Sequence, residues 1–208
     1  MNLQRPFQVV APTLDGDVLT VLARAKRAAT GREIERLTGG SHGGVARALA
    51  HLVSEGIVSR ERVGRANLYR LNEMHLAAPY IKELARLREK LIEELRDMFE
   101  GWLEQPVSAV LFGSAARGEA DATSDIDILL IRPRGIDPDA APWSDQRLAL
   151  AAMGRAMTGN DVRVLEYGED ELTSYAREPV LQSAVDEGVS LAGQQLARVL
   201  RGARAASS

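Results

Sequence analysis

The chain reads as an α+β protein of two domains, and three features of its 208 residues predict this. Residues 15–75 carry three helix-period patterns and then a hairpin pattern. Residues 107–131, VSAVLFGSAARGEADATSDIDILLI, place two short apolar runs around a Gly-Ser turn and a polar segment, as buried strands do. Charge changes sign between these regions. Residues 1–72 hold 11 Lys+Arg against 6 Asp+Glu (+5), and residues 73–208 hold 15 against 23 (−8), which gives the net −3. The expected layout is an arm over 1–14, a helical domain over 15–75, a long linker helix over 76–104, a second domain over 105–192 and a tail over 193–208.

Composition excludes several classes. The absence of cysteine removes disulfides and thiolate-bound zinc, and three histidines at 42, 51 and 75 are too scattered for a histidine metal site. No apolar run approaches the roughly 20 residues a membrane helix needs. The start, MNLQRPFQVV, lacks the charged-then-apolar order of a secretory signal, so a cytoplasmic location without membrane contact is expected.

In chain order, the arm is expected to be disordered or strand-like. Asp15-Gly-Asp17 opens a first helix with Val18, Leu19, Leu22 and Ala23 in period. Thr30 reads as the N-cap of a second, with Glu33 three residues on as in a capping box and Ile34 and Leu37 inward. A third helix runs from about Ser41 to Glu55 on a stripe of Val45, Leu49, Leu52 and Val53, and Gly56 stops it. Two strand-like runs then meet at Val63-Gly64-Arg65-Ala66.

Three helices followed by a basic hairpin resemble the winged helix-turn-helix family of bacterial regulators, most closely in HLVSEGIVSRERVGRANLYRL. The resemblance implies double-stranded DNA as partner, with Ser41, His42, Arg47 and His51 on the groove-facing helix and Arg60, Arg62 and Arg65 on the wing. Phosphate contacts would supply most of the affinity and make it salt-dependent. A protein-interaction module is the other use of such a domain.

One helix is predicted from Pro79 to about Leu103, with Ile81, Leu84, Leu91, Leu95, Met98 and Trp102 on one face. That stripe offers packing for the second domain, a homodimer surface through residues 79–103, or both. Gln105-Pro106 ends the helix.

In the second domain Asp125 and Asp127 stand at i and i+2 of a strand, hence on one face. Adjacent carboxylates are costly unless a cation or proton relieves them. Phe112-Gly113-Ser114, ten intervening residues, then Asp125-Ile126-Asp127, together with Arg117-Gly118-Glu119 and Ser124, resemble the signature of minimal nucleotidyltransferases of the DNA polymerase beta superfamily. The resemblance implies a mixed sheet with flanking helices that binds a nucleoside triphosphate and Mg²⁺ or Mn²⁺ and transfers a nucleoside monophosphate to a hydroxyl, on a toxin-like partner protein in one version. Gly113 would let the main chain approach a phosphate. Ser114 would offer a hydroxyl and an amide, Arg117 a phosphate contact, and Ser124 a hydrogen bond supporting the turn. Asp125 and Asp127 would hold the cation.

The family's third carboxylate lies on a later strand. In TGNDVRVLEYGEDEL that strand is read as Asp161–Glu166, and Arg163 occupies the expected position. Asp161 lies one pleat earlier on the same face, about 6–7 Å away, and a shifted register would bring it to the metal. Arg163 itself would bind a nucleotide phosphate. Two functions therefore stay open: a nucleotidyltransferase, or a nucleotide-binding regulator or antitoxin-like protein that does not turn over. The remainder reads as two short helices and a last apolar strand, then a helical tail with Arg198, Arg201 and Arg204 that frays at its end.

Overall fold

The computed structural model describes residues 1–175 and 178–205. It divides into two compact units. One is Gln4–Leu87 together with Asn2, and the other runs from Arg88 onward together with Met1 and Leu3.

The first unit is built on α1 (Leu14–Arg24), α2 (Gly31–Thr38) and α3 (His42–Ser54). The capping box predicted for α2 is present: the Glu33 amide donates to Thr30 Oγ1 at 3.3 Å, and the Thr30 amide donates to Glu33 Oε2 at 2.7 Å. β2 (Val58–Val63) and β3 (Ala66–Leu71) form the predicted hairpin across Gly64, whose φ of 60° suits a residue without a Cβ. The two-residue strand β1 (Ala29–Thr30), too short to leave a period in the sequence, pairs with β3 and completes a sheet of order β1-β3-β2. Val18, Ile34, Val45, Leu49 and Leu52 are each at most 3 % exposed and centre the core.

Several expectations need correction. The arm is ordered: Pro6–Val9 is a 3-10 turn that buries Phe7. Leu37 is not inward but 55 % exposed, beside an open apolar groove with Val21 and Ala25. The single linker helix is two helices, α4 (Ala78–Ala85) and α5 (Leu87–Glu100), with Arg86 out of helical geometry between them. The Ala85 carbonyl accepts from Arg24 Nε and one Arg24 Nη at 2.9 and 2.6 Å. A side chain inserted into the i→i−4 ladder breaks it in this way. Much of the predicted apolar stripe packs inside its own units. Ile81 lies in the first core, and Leu91, Ile92, Leu95, Phe99 and Trp102 lie in the second.

The second unit is a four-stranded mixed sheet of order β6-β5-β4-β7. Its strands are β4 (Ser108–Phe112), β5 (Ile126–Arg132), β6 (Val162–Gly168) and β7 (Val189–Gly193). β4 pairs antiparallel with β5 and β7, whereas β6 lies parallel to β5 and is reached through α7 (Trp143–Thr158). Ile126, Ile128 and Leu130 face a core shared with α5 and α7, where Trp102 meets Trp143 edge-on at 5.6 Å. Leu129 and Ile131 face a second core with α8 (Leu172–Tyr175), α9 (Pro179–Glu187) and α10 (Leu196–Ala205). Such two-sided burial explains the unbroken apolar run of β5. The tail is thus part of the domain, since Leu196 and Leu200 of α10 are 4 % and 3 % exposed. The end expected to fray, residues 206–208, lies outside the described residues.

Candidate functional site

The site grows out of where β4 and β5 begin and end. β4 closes at Phe112, and the chain turns at Gly113 with φ 69° into α6 (Gly113–Arg117), a single helical turn. Phe112 pairs with Asp127 on β5, and Asp127 in turn pairs with Arg163 on β6. Strand alternation then puts Asp125, Asp127 and Arg163 on one face, the same face as Leu129, Ile131 and Tyr167. The register places Arg163 beside Asp127.

Gly113 and Asp127 are fitted to each other. A Cβ at Gly113 would sit 2.8 Å from Asp127 Oδ2, so only glycine allows the main chain past this carboxylate. Burial pushes the Asp127 carboxyl above the usual range; Arg163 pulls it back in part and Asp125 adds to the rise. Arg163 donates to Asp125 Oδ2 at 2.8 Å, with side-chain exposures of 74 % and 26 %. An ion pair this open to water contributes about 0–1 kcal/mol, so it can part when a better anion arrives.

The other sequence candidates fall into supporting places. Ser114 is half-buried at the start of α6, and its carbonyl accepts from the Glu119 amide at 2.8 Å. Arg117 points its guanidinium at Glu119 (2.6 Å) and Glu187 (2.8 Å), so its positive charge is already matched by two carboxylates. Ser124 supports the turn as expected, its Oγ accepting from the Asp121 amide at 3.0 Å. Asp161 is not drawn to the pair: it meets Arg155 of α7 at 2.7 Å, because it precedes β6 and is 65 % exposed.

Two residues that hold the site left no signal in sequence patterning. Asn160, 3 % exposed, donates through Nδ2 to the carbonyls of Asp121 and Ser124 at 2.9 and 2.7 Å and so fixes the loop ahead of Asp125. Its Oδ1 accepts from the Met1 amino group. Arg88 donates to the carbonyls of Ala115 (3.1 Å) and Ala116, closing the end of α6.

The donor set suits one hard divalent cation: two carboxylates on neighbouring same-face positions, with a glycine main chain packed close against one of them. Among the described residues no group of three or more His, Cys, Asp or Glu side chains is placed to hold a metal ion.

In the first unit, Ser41 is the N-cap of α3, its Oγ accepting from the Gly44 amide at 3.2 Å, so its hydroxyl serves the helix. His42 Nδ1 lies 2.5 Å from Glu35 Oε1, and His51 Nδ1 lies 2.9 Å from Asp15 Oδ2. Arg47 is exposed on α3, and Arg60, Arg62 and Arg65 are exposed on the hairpin.

No helix among the described residues is long and apolar enough to cross a membrane. No curated protein matches the chain. Among solved structures, a toxin–antitoxin complex with AMP-PNP is similar at 23 % identity, covering 58 % of this chain and 86 % of that one, with TM-score 0.37. A variant of the toxin–antitoxin complex MntA-HpeT is similar at 20 % identity over 55 % of this chain and 84 % of that one, TM-score 0.38. Human N-acetylserotonin methyltransferase with SAM gives 19 % identity over 45 % of this chain and 31 % of that one, TM-score 0.29. Residues 88–176, which include Gly113, Asp125, Asp127 and Arg163, match the family model of the nucleotidyltransferase domain.

Proposed function

We propose that the second unit binds a nucleoside triphosphate as its magnesium complex and transfers the nucleoside monophosphate to a hydroxyl brought by a partner protein. The observation that carries this reading is the fit of Gly113 against the half-buried Asp127, with Asp125 beside it on the same strand face. Fold stability gives no reason to bury a carboxylate next to another and leave a left-handed glycine above it. A polyphosphate and its cation do. When bound, the cation neutralises phosphate charge and steadies the pyrophosphate leaving group. Asp125 and Asp127 would hold it, and the Gly113-Ser114 main chain would lie along the phosphates. The acceptor oxygen attacks the α-phosphorus and the bond to the α,β-bridging oxygen breaks. Pyrophosphate leaves, and the hydroxyl proton passes to water on the open side marked by Arg163. That openness, 74 % at Arg163, leaves room for an acceptor carried on a macromolecule, a toxin-like protein being the version we favour. Incubation with each NTP labelled at the α-phosphate, with and without candidate partners, tests the reading. Label should move to the partner and be lost in Asp127→Ala, whereas labelling that survives removal of both carboxylates would contradict it.

A second reading, nucleotide binding without turnover in a regulator or antitoxin-like protein, is favoured by the Arg163–Asp125 ion pair. Among the described residues no third carboxylate joins Asp125 and Asp127 in a group that could hold a metal ion. It forecasts tight binding of NTP and no label transfer to any partner.

We propose that the first unit is a winged helix that binds double-stranded DNA. Three helices with the exposed hairpin arginines Arg60, Arg62 and Arg65 support this. Replacing all three by alanine should weaken DNA retention and lower the salt slope by about three. Unchanged retention would count against the wing as a DNA contact.

A further inference from the structure

We infer that Arg163 stands in for one divalent cation, so that the site holds its nucleotide with a single metal ion and a guanidinium. This rests on the nucleotide-binding reading above and deepens it. Three observations carry it. The cluster contains two carboxylates, and no group of three or more metal-ligating side chains occurs among the described residues. One of the two, Asp125, already has Oδ2 taken by Arg163 at 2.8 Å. The strand register fixes the Arg163 backbone directly beside Asp127, so the guanidinium stays within reach of the pair.

Charge and ligand arithmetic then decide the outcome. A polyphosphate-binding site that clamps both the attacking and leaving oxygens uses two cations about 3.5–4 Å apart. Magnesium needs close to six oxygens at about 2.0–2.1 Å and keeps some of them as water, but it takes one or two from carboxylate. Asp125 and Asp127 together meet that need once. A second ion would have to share their oxygens while lying against the positive charge of Arg163, which repels it. The guanidinium removes both the room for that ion and much of the need for it. It is always charged, and its planar fork suits a phosphate edge. The other arginine near the turn, Arg117, is occupied by Glu119 and Glu187, and Asp161 is occupied by Arg155. Of these three residues, Arg163 is the cation left for the nucleotide. In the free protein its contact with Asp125 relieves the carboxylate pair that the cation relieves in the loaded one.

The test counts metal per bound nucleotide on the full chain. Wild type, Arg163→Ala and Arg163→Asp are each loaded with Mn²⁺ and AMP-PNP or GMP-PNP and separated from free ligand. Manganese and nucleotide are then measured on the complex, and its paramagnetic resonance is recorded. Arg163 is exposed, so each variant is expected to fold as wild type, which thermal unfolding verifies. The expected results are one Mn²⁺ per nucleotide in wild type, a nucleotide affinity at least about tenfold lower in Arg163→Ala, and two spin-coupled Mn²⁺ per nucleotide in Arg163→Asp. Two manganese ions in wild type, an unchanged affinity in Arg163→Ala, or a single ion in Arg163→Asp would each overturn the inference while leaving nucleotide binding intact. Failure of wild type to retain either analogue with Mn²⁺ overturns the nucleotide reading, and the inference with it.

Discussion

The two units handle charge in opposite ways. In the first, acidic groups and histidines around α2 and α3 are capped or paired at the surface: Glu33 with Thr30 and Arg27, His42 with Glu35, His51 with Asp15. In the second, Asp127 is partly buried beside Asp125, under a glycine held in the left-handed region. The first arrangement follows from building a stable fold. The second costs stability, and such a cost persists where a ligand or reaction depends on it. The contrast also tempers the DNA-binding reading: carboxylates beside His42 and His51 reduce the attraction of α3 for phosphates and leave the hairpin arginines as the main electrostatic contact.

Removing the costly arrangement should have the largest effect. Replacing Asp125 and Asp127 together by alanine is expected to weaken Mg²⁺-dependent NTP binding by at least about a hundredfold, as loss of several kcal/mol of cation binding implies; equilibrium binding at fixed Mg²⁺ measures it. Next comes Gly113→Ala. The left-handed backbone costs a Cβ roughly 1–2 kcal/mol, and the new methyl would lie 2.8 Å from Asp127 Oδ2. Both a lower Tm and weaker nucleotide binding should follow; an unchanged affinity would show that the turn is only structural.

In the first unit the effects should be smaller and confined to stability. Thr30→Ala removes the N-cap of α2 and should cost about 1 kcal/mol, seen by denaturant unfolding. Glu33→Gln should show a pH signature. Arg27, then the Thr30 amide and hydroxyl, hold the Glu33 carboxyl down to about 2 from 4.5. A depressed carboxylate adds stability that is complete above the unfolded value and is lost as pH falls through the folded one. The Tm gap between wild type and Glu33→Gln should therefore be widest above pH 4.5 and close towards pH 2. A gap that ignores pH would remove the ion pair from the account.

What the sequence made legible follows the same division. The capping box of α2, the β2–β3 hairpin and the shared face of Asp125 and Asp127 depend on neighbours a few residues apart, where periodicity and turn chemistry operate. Arg163 is legible through the family resemblance, which sets the strand that carries it, and the structure pairs it with Asp127. Features set by distant partners stayed hidden. The helix break at Arg86 depends on Arg24, and the loop before Asp125 depends on Asn160. The pairing of Arg117 with Glu187, 70 residues away, is likewise invisible to local patterning. Leu37 has the spacing of a core residue, yet no element covers it among the described residues.

The most direct measurement concerns Asp127→Asn, which keeps the shape of the side chain and removes its charge. Thermal unfolding and Mg²⁺-dependent NTP binding should be recorded on the same sample at neutral pH. If the carboxylate is kept for a cation and a nucleotide, the amide should raise Tm, because burial penalises the charge, and should abolish or strongly weaken binding. A variant that binds the nucleotide as wild type does, whatever its Tm, would contradict the assignment of this face as a nucleotide site.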